Sequence, residues 1–205
     1  SILPENDVIE ALAKKLKVSC FRGSENDVLE RVLESAKSVN SDIIIELWGD
    51  SPLLDSNILN DLIDFYQKNR YDCVGTTFPN FKKTYPLGIS ALIFPLKILE
   101  EVNQITHNPN DRENVSNYIY EHPEKYKIRP LPCPKNLNFP NLRLTVDEQN
   151  DFNLIKIIFE ELYYLDPQFS TVEVIKFLNS NPKLLEINKD VIQKKLPAWD
   201  KLKKT

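Results

Sequence analysis

The stretch DIIIELWGDSP, residues 42–52, decides the fold of this chain. Residues 42–48 are mostly β-branched and apolar, as in a buried parallel strand, and Gly49 then turns the chain into Asp50. Amphipathic helices are predicted immediately before and after it, over Asp27–Lys37 and Asn57–Lys68. Helices that alternate with a buried strand predict an α/β fold.

The same alternation continues in both directions. Helices are also predicted over Asn6–Lys15, after Pro95 to about Val102, from near Asp111 to just before Pro123, and over Asn150–Leu165. Further strands are predicted at Val18–Phe21, Tyr71–Thr77, Gly88–Phe94, Tyr126–Leu131 and Leu142–Val146. The pattern predicts a three-layer αβα sandwich with a mostly parallel sheet over residues 1–165. Residues 166–205, with helical spacing from Thr171 to Leu196, are expected to form a small helical extension.

The composition excludes several classes of protein. The chain has 205 residues, of which 41% are hydrophobic and 27% charged, as in a folded domain. Its 26 basic residues against 30 acidic ones give a net charge of −4 and no basic stripe, which argues against a nucleic-acid partner. The apolar runs are far shorter than the ~20 residues of a membrane span. We therefore expect a cytoplasmic protein with no membrane partner.

The cysteines and glycines exclude further kinds of site. Cys20, Cys73 and Cys133 are odd in number and widely spaced, so each is predicted to be a small buried hydrophobic residue rather than part of a disulfide or zinc site. The chain has 4 glycines and neither of the common glycine-rich phosphate loops. It also has no methionine and begins at Ser1, so an N-terminal segment is expected to be missing.

Two carboxylates follow predicted strands directly. Asp50 comes after the strand that ends at Trp48, and Asp147 follows Leu142–Val146. Ligands bind at the carboxyl ends of strands in open α/β sheets, and Mg²⁺ is commonly held by one or two carboxylates together with substrate phosphates. The alternative is that both aspartates only cap helices, an interpretation that suits Asp55 and Asp111 better because each directly precedes a helical pattern.

A polar segment follows the predicted strand Val18–Phe21. Arg22 and Ser24 could bind a phosphate or the polar edge of a base, and Asp27 begins the next helix with Arg31 one turn further on. The alternative is that Ser24 is a helix cap and Arg31 a solvated surface residue.

Together these segments resemble the cytidylyltransferase family of spore-coat polysaccharide synthesis proteins and the synthetases that make CMP derivatives of acidic sugars. The resemblance is spread over most of the chain, in the order and spacing of the family. It is carried by Phe21–Leu29, Gly49–Asp55, Tyr85–Gly88, Arg112–Val115, Leu144–Asp147 with Asp151–Phe152, and the tail Leu184–Val191.

The resemblance implies a nucleotide-diphospho-sugar transferase-like fold and a transfer of CMP from CTP to an acidic sugar or phosphosugar, with loss of pyrophosphate. It implies Mg²⁺ as the cofactor, held by Asp50 and Asp147 as the catalytic residues. It further implies two sets of binding residues: Arg22, Gly23, Ser24 and Asp27 for the nucleotide, and Tyr85, Gly88, Arg112 and Glu113 for the acceptor. A homodimer is also expected.

Two departures from the family pattern leave alternatives open. A first strand and a glycine- and arginine-containing loop are expected before Ser1, and Leu87, Ser90 and Leu92 stand where close relatives carry acidic residues, with Asn114 where a His is common. One alternative is therefore a non-catalytic relative that serves as a binding or assembly domain. Another is a metal-dependent glycosyltransferase, but Ser51 and Pro52 stand where its Asp-x-Asp pair would need a second carboxylate.

Overall fold

The computed structural model describes residues 1–193, so the end of the predicted helical tail lies outside the described residues. The helices in this range are α1 (Asp7–Leu16), α2 (Val28–Ser38), α3 (Ser56–Lys68), α4 (Leu96–Ile105), α5 (Pro109–Glu113), α6 (Asn117–Glu121), α7 (Gln149–Leu162) and α8 (Thr171–Ser180). Short 3₁₀ helices lie at Pro4–Asn6, Lys135–Leu137 and Pro182–Glu186. The strands are β1 (Ile43–Leu47), β2 (Cys73–Gly75), β3 (Ala91–Pro95) and β4 (Ile128–Pro130).

Within the described residues the strands form one sheet in the order β1-β3-β2-β4. Strand β2 pairs antiparallel with β3, Val74 opposite Ile93, and parallel with β4, Val74 opposite Arg129. The α/β class is therefore confirmed. The sheet is mixed, because β3 follows β2 through a loop that reverses the chain instead of through a crossover helix.

The run of isoleucines in β1 predicts a strand that is buried on both faces. In the structure, β1 lies at an edge of the sheet and only one of its faces is buried. Ile44 is buried, whereas Ile43, Ile45 and Leu47 are 41%, 37% and 50% exposed. An apolar strand is buried on both faces only where other elements cover both faces of the sheet. Here the side chains alternate between buried and exposed, as in a half-covered strand.

Two other predicted strands are absent from the described part of the chain. Val18–Phe21 has no strand structure, because no neighbouring strand supplies the hydrogen bonds that a ladder needs. Leu142–Val146 makes only an isolated parallel bridge, between Arg143 and Leu87. Its partner is the loop around Gly88, where Pro86 has no N–H to donate and a positive φ of 92° at Gly88 turns the chain away.

The chain divides into two compact units. One comprises Ile45–Ile93 and Lys127–Thr205. The core of its described part contains residues from helices α3, α7 and α8 and from strands β2 and β3, among them Leu62, Val74, Ile93, Leu154 and Val174. The predicted boundary at residue 165 does not coincide with this division and stays a prediction.

The other unit comprises Ser1–Ile44 and Phe94–Tyr126. Helix α2 contacts α4 and α5, and Leu29, Leu33, Leu99 and Val102 are fully or almost fully buried. Helix α1 belongs to this unit but has no buried residue. The helix predicted from Asp111 to Pro123 is divided into α5 and α6.

The capping prediction holds for Asp55 and is wrong for Asp111. Asp55 accepts hydrogen bonds from the backbone N–H groups of Asn57 (2.9 Å) and Ile58 (3.2 Å), and also from Thr171 (2.6 Å) at the start of α8. Asp111 lies inside α5, which Asn108 caps, and its buried carboxylate accepts from Thr106 and Asn117, each at 2.6 Å.

The cysteines differ in burial, so their common prediction is only partly confirmed. Cys73 is buried in β2, where burial raises the pKa of its thiol, but Cys20 is exposed and Cys133 is partly buried. In the described range, no helix has both the length and the apolar character needed to cross a membrane.

Candidate functional site

Asp50 and Asp147 lie on adjoining segments. The backbone N–H of Val146 donates to the carbonyl oxygen of Asp50 (2.9 Å), and the Thr145 hydroxyl donates to the same oxygen (3.2 Å). The turn after β1 is therefore tied to the residues that immediately precede Asp147. Both aspartates are exposed, and the Asp50 carboxylate accepts a hydrogen bond from the Ser51 hydroxyl (3.1 Å).

Neither aspartate caps a helix among the described residues. Helix α3 is capped by Asp55, and α7 by a reciprocal pair of hydrogen bonds between Glu148 and Asp151. The capping alternative for Asp50 and Asp147 is therefore wrong.

Arg143 connects Asp147 to a buried carboxylate. Its Nη2 donates to Asp147 Oδ2 (2.9 Å) and to Asp151 Oδ2 (2.7 Å), and its Nε donates to Asp151 Oδ1 (2.8 Å). Nη1 donates to Gln193 Oε1. The hydrogen bonds to Asp151 and, to a smaller extent, to Asp147 raise the pKa of the Arg143 guanidinium, although partial burial opposes this shift. Arg143 could not be selected from the sequence, because a lone arginine within a predicted strand has no distinctive spacing.

Asp151 is completely buried and is the centre of this network. It also accepts hydrogen bonds from Asn188 Nδ2 (2.9 Å) and from the backbone N–H groups of Asp147 and Glu148, both at 3.1 Å. Burial raises the pKa of the Asp151 carboxyl, but the hydrogen bonds from Arg143, Asn188 and the two backbone groups outweigh it and lower the pKa to about 2. Asp151 is therefore ionised at neutral pH.

A groove of about 410 Å³ adjoins the same segments. It includes Gly49 and Val146, the residues directly before the two aspartates. The other lining residues are Pro52, Phe152, Ile155, Lys156, Phe159 and Glu160. The groove is thus mainly apolar, with one pair of opposite charges.

Tyr85 and Gly88 belong to the same unit as the aspartates. Tyr85 is 4% exposed, its hydroxyl donates to the carbonyl of Pro132 (3.3 Å), and burial raises its pKa. Gly88 packs directly against the backbone of Leu144 and Thr145. Both residues therefore have a structural role in shaping the loop beside Thr145, whatever they contribute to binding.

The remaining candidates belong to the other unit. Arg22 pairs with Asp7 (2.7 Å) and Glu10 (2.6 Å) of α1 and also donates to the carbonyls of Ser1 and Leu3. These acidic partners, with Glu10 the stronger, raise its pKa. The guanidinium is thus already engaged within the protein.

The segment after Arg22 forms the start of α2. Ser24 Oγ accepts from the backbone N–H of Asp27 (3.0 Å), and Asp27 in turn caps α2 by accepting from Glu30 N–H (2.9 Å). Arg31 donates to the Ser24 carbonyl. A Cβ atom on Gly23 would lie 2.9 Å from Arg31 Cγ, so the glycine lets Arg31 close over the turn.

Arg112 is bound to this same turn. Its Nε (2.9 Å) and Nη2 donate to Asp27 Oδ2, and its Nη1 donates to Asn103 Oδ1 (2.7 Å). Glu113, the last residue of α5, is exposed. The structure therefore brings Asp27 and Arg112 together, although the sequence assigned them to different ligands.

The α/β fold and two exposed carboxylates are compatible with several activities, and similarity to known proteins identifies the class as a nucleotide-transferring enzyme. The chain belongs to the cytidylyltransferase family, whose sequence model matches residues 4–194. It is a nucleotidyltransferase of that family and not a glycosyltransferase.

Individual relatives and one solved structure are similar to most of the chain. The chain is 32% identical over 194 residues to the uncharacterized protein MJ1063 of Methanocaldococcus jannaschii, covering 95% of this chain and 76% of the relative. It is 31% identical over 180 residues to the spore coat polysaccharide biosynthesis protein SpsF of Bacillus subtilis, covering 86% of this chain and 71% of the relative. The solved structure of a cytidylyltransferase from Leptospira borgpetersenii superposes with a TM-score of 0.83 at 34% identity, covering 95% of this chain and 79% of that one.

Proposed function

We propose that this chain transfers CMP from CTP to an acidic sugar or phosphosugar, with release of pyrophosphate, for synthesis of a surface polysaccharide. Family membership supports the nucleotidyl transfer, and the name of the Bacillus relative supports the polysaccharide context. The structural observation that carries the proposal is the hydrogen bond from Val146 N–H to the Asp50 carbonyl, because it sets Asp50 and Asp147 on adjoining segments.

Mg²⁺ is proposed as the cofactor, with Asp50 and Asp147 as its protein ligands. The donor set fits this ion, since both side chains are carboxylates at the protein surface. The described residues contain no group of three or more His, Cys, Asp or Glu side chains that could hold a metal. Mg²⁺ commonly binds one or two carboxylates and otherwise water and phosphate oxygens. When bound, Mg²⁺ would neutralise negative charge on the triphosphate.

In the proposed reaction, an oxygen of the acceptor attacks the α-phosphorus of CTP. The new P–O bond forms as the bond to the bridging oxygen of the β-phosphate breaks, and pyrophosphate leaves with that electron pair. An acceptor phosphate attacks as its anion, whereas an acceptor hydroxyl releases its proton to solvent. Reactions of this kind depend mainly on positioning and on stabilising charge. In this proposal the chain orients Asp50 and Asp147 through the Thr145 hydroxyl and the Val146 N–H, which both donate to the Asp50 carbonyl oxygen.

The other assignments stay proposals. Arg22, Gly23, Ser24 and Asp27 are proposed for the nucleotide, and Tyr85, Gly88, Arg112 and Glu113 for the acceptor. Binding of a phosphate by Arg22 would require its guanidinium to exchange Asp7 or Glu10 for the ligand, since its donors are already used.

Calorimetric titration with CTP and with ATP, each with and without Mg²⁺, tests the proposal. We expect CTP to bind in a Mg²⁺-dependent manner and Asp50→Asn to weaken this binding at least tenfold. Asp64→Asn is the matched control, because Asp64 is an exposed aspartate whose partner is Lys68 in the same helix. Full-length protein that binds neither nucleotide would overturn the proposal and support the alternative of a non-catalytic binding or assembly domain.

Release of pyrophosphate from CTP identifies the acceptor class. Three candidate acceptors are compared at equal concentration: a sugar carboxylate, a sugar phosphate and a neutral hexose. We expect release with one of the two anionic acceptors. Release with the neutral hexose alone would contradict the proposed acceptor while leaving the nucleotidyl transfer intact.

A further inference from the structure

Arg143 has one positive charge and contacts two carboxylates. Asp151 is completely buried, and a buried carboxylate is stable only when a cation and hydrogen-bond donors compensate it. Arg143 meets this need through a two-pronged contact from Nε and Nη2. The single positive charge of Arg143 balances only one of the two carboxylates, Asp147 and Asp151. The three side chains therefore carry a net charge of −1, which remains at Asp147 if Arg143 compensates Asp151.

Arg143 contacts only one of the two carboxylate oxygens of Asp147. Arg143 Nη2 donates to Oδ2 of Asp147 at 2.9 Å, and in the described part of the chain Oδ1 accepts no hydrogen bond. The main chain of the same residue is fixed as well, because its N–H donates to Asp151 Oδ2 at 3.1 Å. The side chain and the backbone of Asp147 are thus both held through Asp151, and one carboxylate oxygen is left for an external ligand.

The C-terminal segment from Asn188 to Gln193 completes the arrangement. Asn188 is 5% exposed and donates to Asp151 Oδ1 (2.9 Å) and to the Arg143 carbonyl (3.3 Å). Gln193 accepts from Arg143 Nη1, so each nitrogen of the guanidinium has an acceptor. A segment 45 residues away in sequence therefore determines where Arg143 lies.

We propose that Arg143 and Asn188 are positioning residues for the metal-binding carboxylate Asp147, so that the C-terminal segment sets the metal affinity of the site. This inference rests on the proposed function, since it requires Asp147 to be a metal ligand. Groups that hold a metal ligand in place commonly change metal affinity by about 10–100-fold when they are substituted.

Binding of Mn²⁺ to the 205-residue chain without nucleotide is the test, with free Mn²⁺ followed by electron paramagnetic resonance. We expect Asn188→Ala to weaken Mn²⁺ binding about tenfold. Arg143→Lys, which keeps the charge but loses the two-pronged contact, is expected to weaken it by about 10–100-fold. Asn181→Ala is the matched control, because Asn181 also donates its side-chain amide to a carbonyl, that of Phe177, but lies outside this network.

Thermal unfolding in EDTA separates positioning from folding. A purely structural role would lower the unfolding temperature of Asn188→Ala and leave the Mn²⁺ dissociation constant of the folded protein within twofold of wild type, which would overturn the inference. A loss of Mn²⁺ affinity in Asn181→Ala as large as in Asn188→Ala would also overturn it.

The same measurements distinguish a failure of the proposed metal ligands from a failure of the positioning inference. Wild-type chain that binds no Mn²⁺, either alone or in the presence of CTP, would overturn the assignment of Asp50 and Asp147 as metal ligands, and the positioning inference with it. Wild-type chain that binds Mn²⁺, with unchanged binding in Asn188→Ala and Arg143→Lys, would overturn the positioning inference alone.

Discussion

Gly88 shows how one residue shapes the segment before Asp147. Its φ of 92° is unfavourable for any side chain, and an added Cβ would lie 2.5 Å from the Leu144 carbonyl carbon and 2.6 Å from its oxygen. Backbone atoms cannot move aside as the end of a side chain can. Gly88 is thus required by geometry, whether or not it also contacts a substrate.

We expect Gly88→Ala to lower the free energy of unfolding by about 2–4 kcal/mol, from backbone strain and from the clash with Leu144. Gly49→Ala is the control, because a Cβ on Gly49 would meet nothing within 4 Å. Urea unfolding measures both variants, and we expect Gly49→Ala to stay within about 0.5 kcal/mol of wild type. Equal stability of the two variants would contradict the packing described here.

Asp151 is expected to make the stability of the chain depend on acidic pH. Its pKa is about 2 in the folded protein against a usual value of 3.8, so between these values the unfolded chain binds a proton that the folded chain does not. The stabilisation is present above about pH 4 and is lost as the pH falls toward 2, by about 2 kcal/mol. Urea unfolding in EDTA from pH 5 to pH 2 measures this loss.

Asp151→Asn is the reference for that experiment, because other carboxylates titrate in the same range. The free energy of unfolding of wild type should fall more steeply with acidification than that of the variant. Parallel curves for the two proteins would show that Asp151 is not ionised in the way the structure indicates.

At the scale of residues, the sequence was informative where a carboxylate directly follows an apolar run. Asp50 and Asp147 could be selected in this way, and the structure sets their segments side by side. Arg143 and Asn188 could not be selected, because their importance comes from contacts between segments far apart in sequence.

At the scale of elements, helices α1 and α2 look alike in sequence but differ in burial. Both have apolar residues at helical spacing, yet Leu33 of α2 is 1% exposed and Leu12 of α1 is 53% exposed. Periodicity identifies a helix and its apolar face, but only tertiary contacts decide whether that face is covered.

We expect Leu33→Ala to cost about 2–5 kcal/mol of the free energy of unfolding, because it leaves a cavity in a packed core. Leu12→Ala should cost less than about 0.5 kcal/mol, because its side chain is already exposed to water. Chemical denaturation of the two variants makes the comparison. A large loss of stability in Leu12→Ala would mean that α1 is packed in solution.

Strands were predicted less well than helices, for a physical reason. A helix satisfies its backbone within one segment, whereas a strand needs a neighbour. Val18–Phe21 and Leu142–Val146 have suitable residues but lack a regular partner in the described chain. The antiparallel pairing of β2 with β3 was likewise missed, because the composition of a strand does not specify the direction of its neighbour.

At the scale of the whole molecule, the chain path makes one compact unit discontinuous. Residues 1–44 and 94–126 form it together, so the apolar face of α2 is covered by α4, which follows much later in the chain. The sequence predicted a single α/β domain from residue 1 to 165, since alternation of elements does not show which of them share a core. The expected homodimer stays a prediction.

We expect a peptide of residues 1–44 to be mostly unfolded in water, because Leu29 and Leu33 have no partner without α4. Circular dichroism at 25 °C measures its helix content. A cooperative thermal transition in this peptide would contradict the discontinuous unit.

The exposure of Cys20 makes the chain suitable for fluorescence spectroscopy. Cys73 is buried, and Cys133 can be changed to serine, which leaves Cys20 as the accessible thiol of the three that the sequence contains. A maleimide dye attached there would lie two residues from Arg22. A change in its emission on addition of CTP would indicate a change near Arg22, as expected if the ion pairs of Arg22 with Asp7 and Glu10 open.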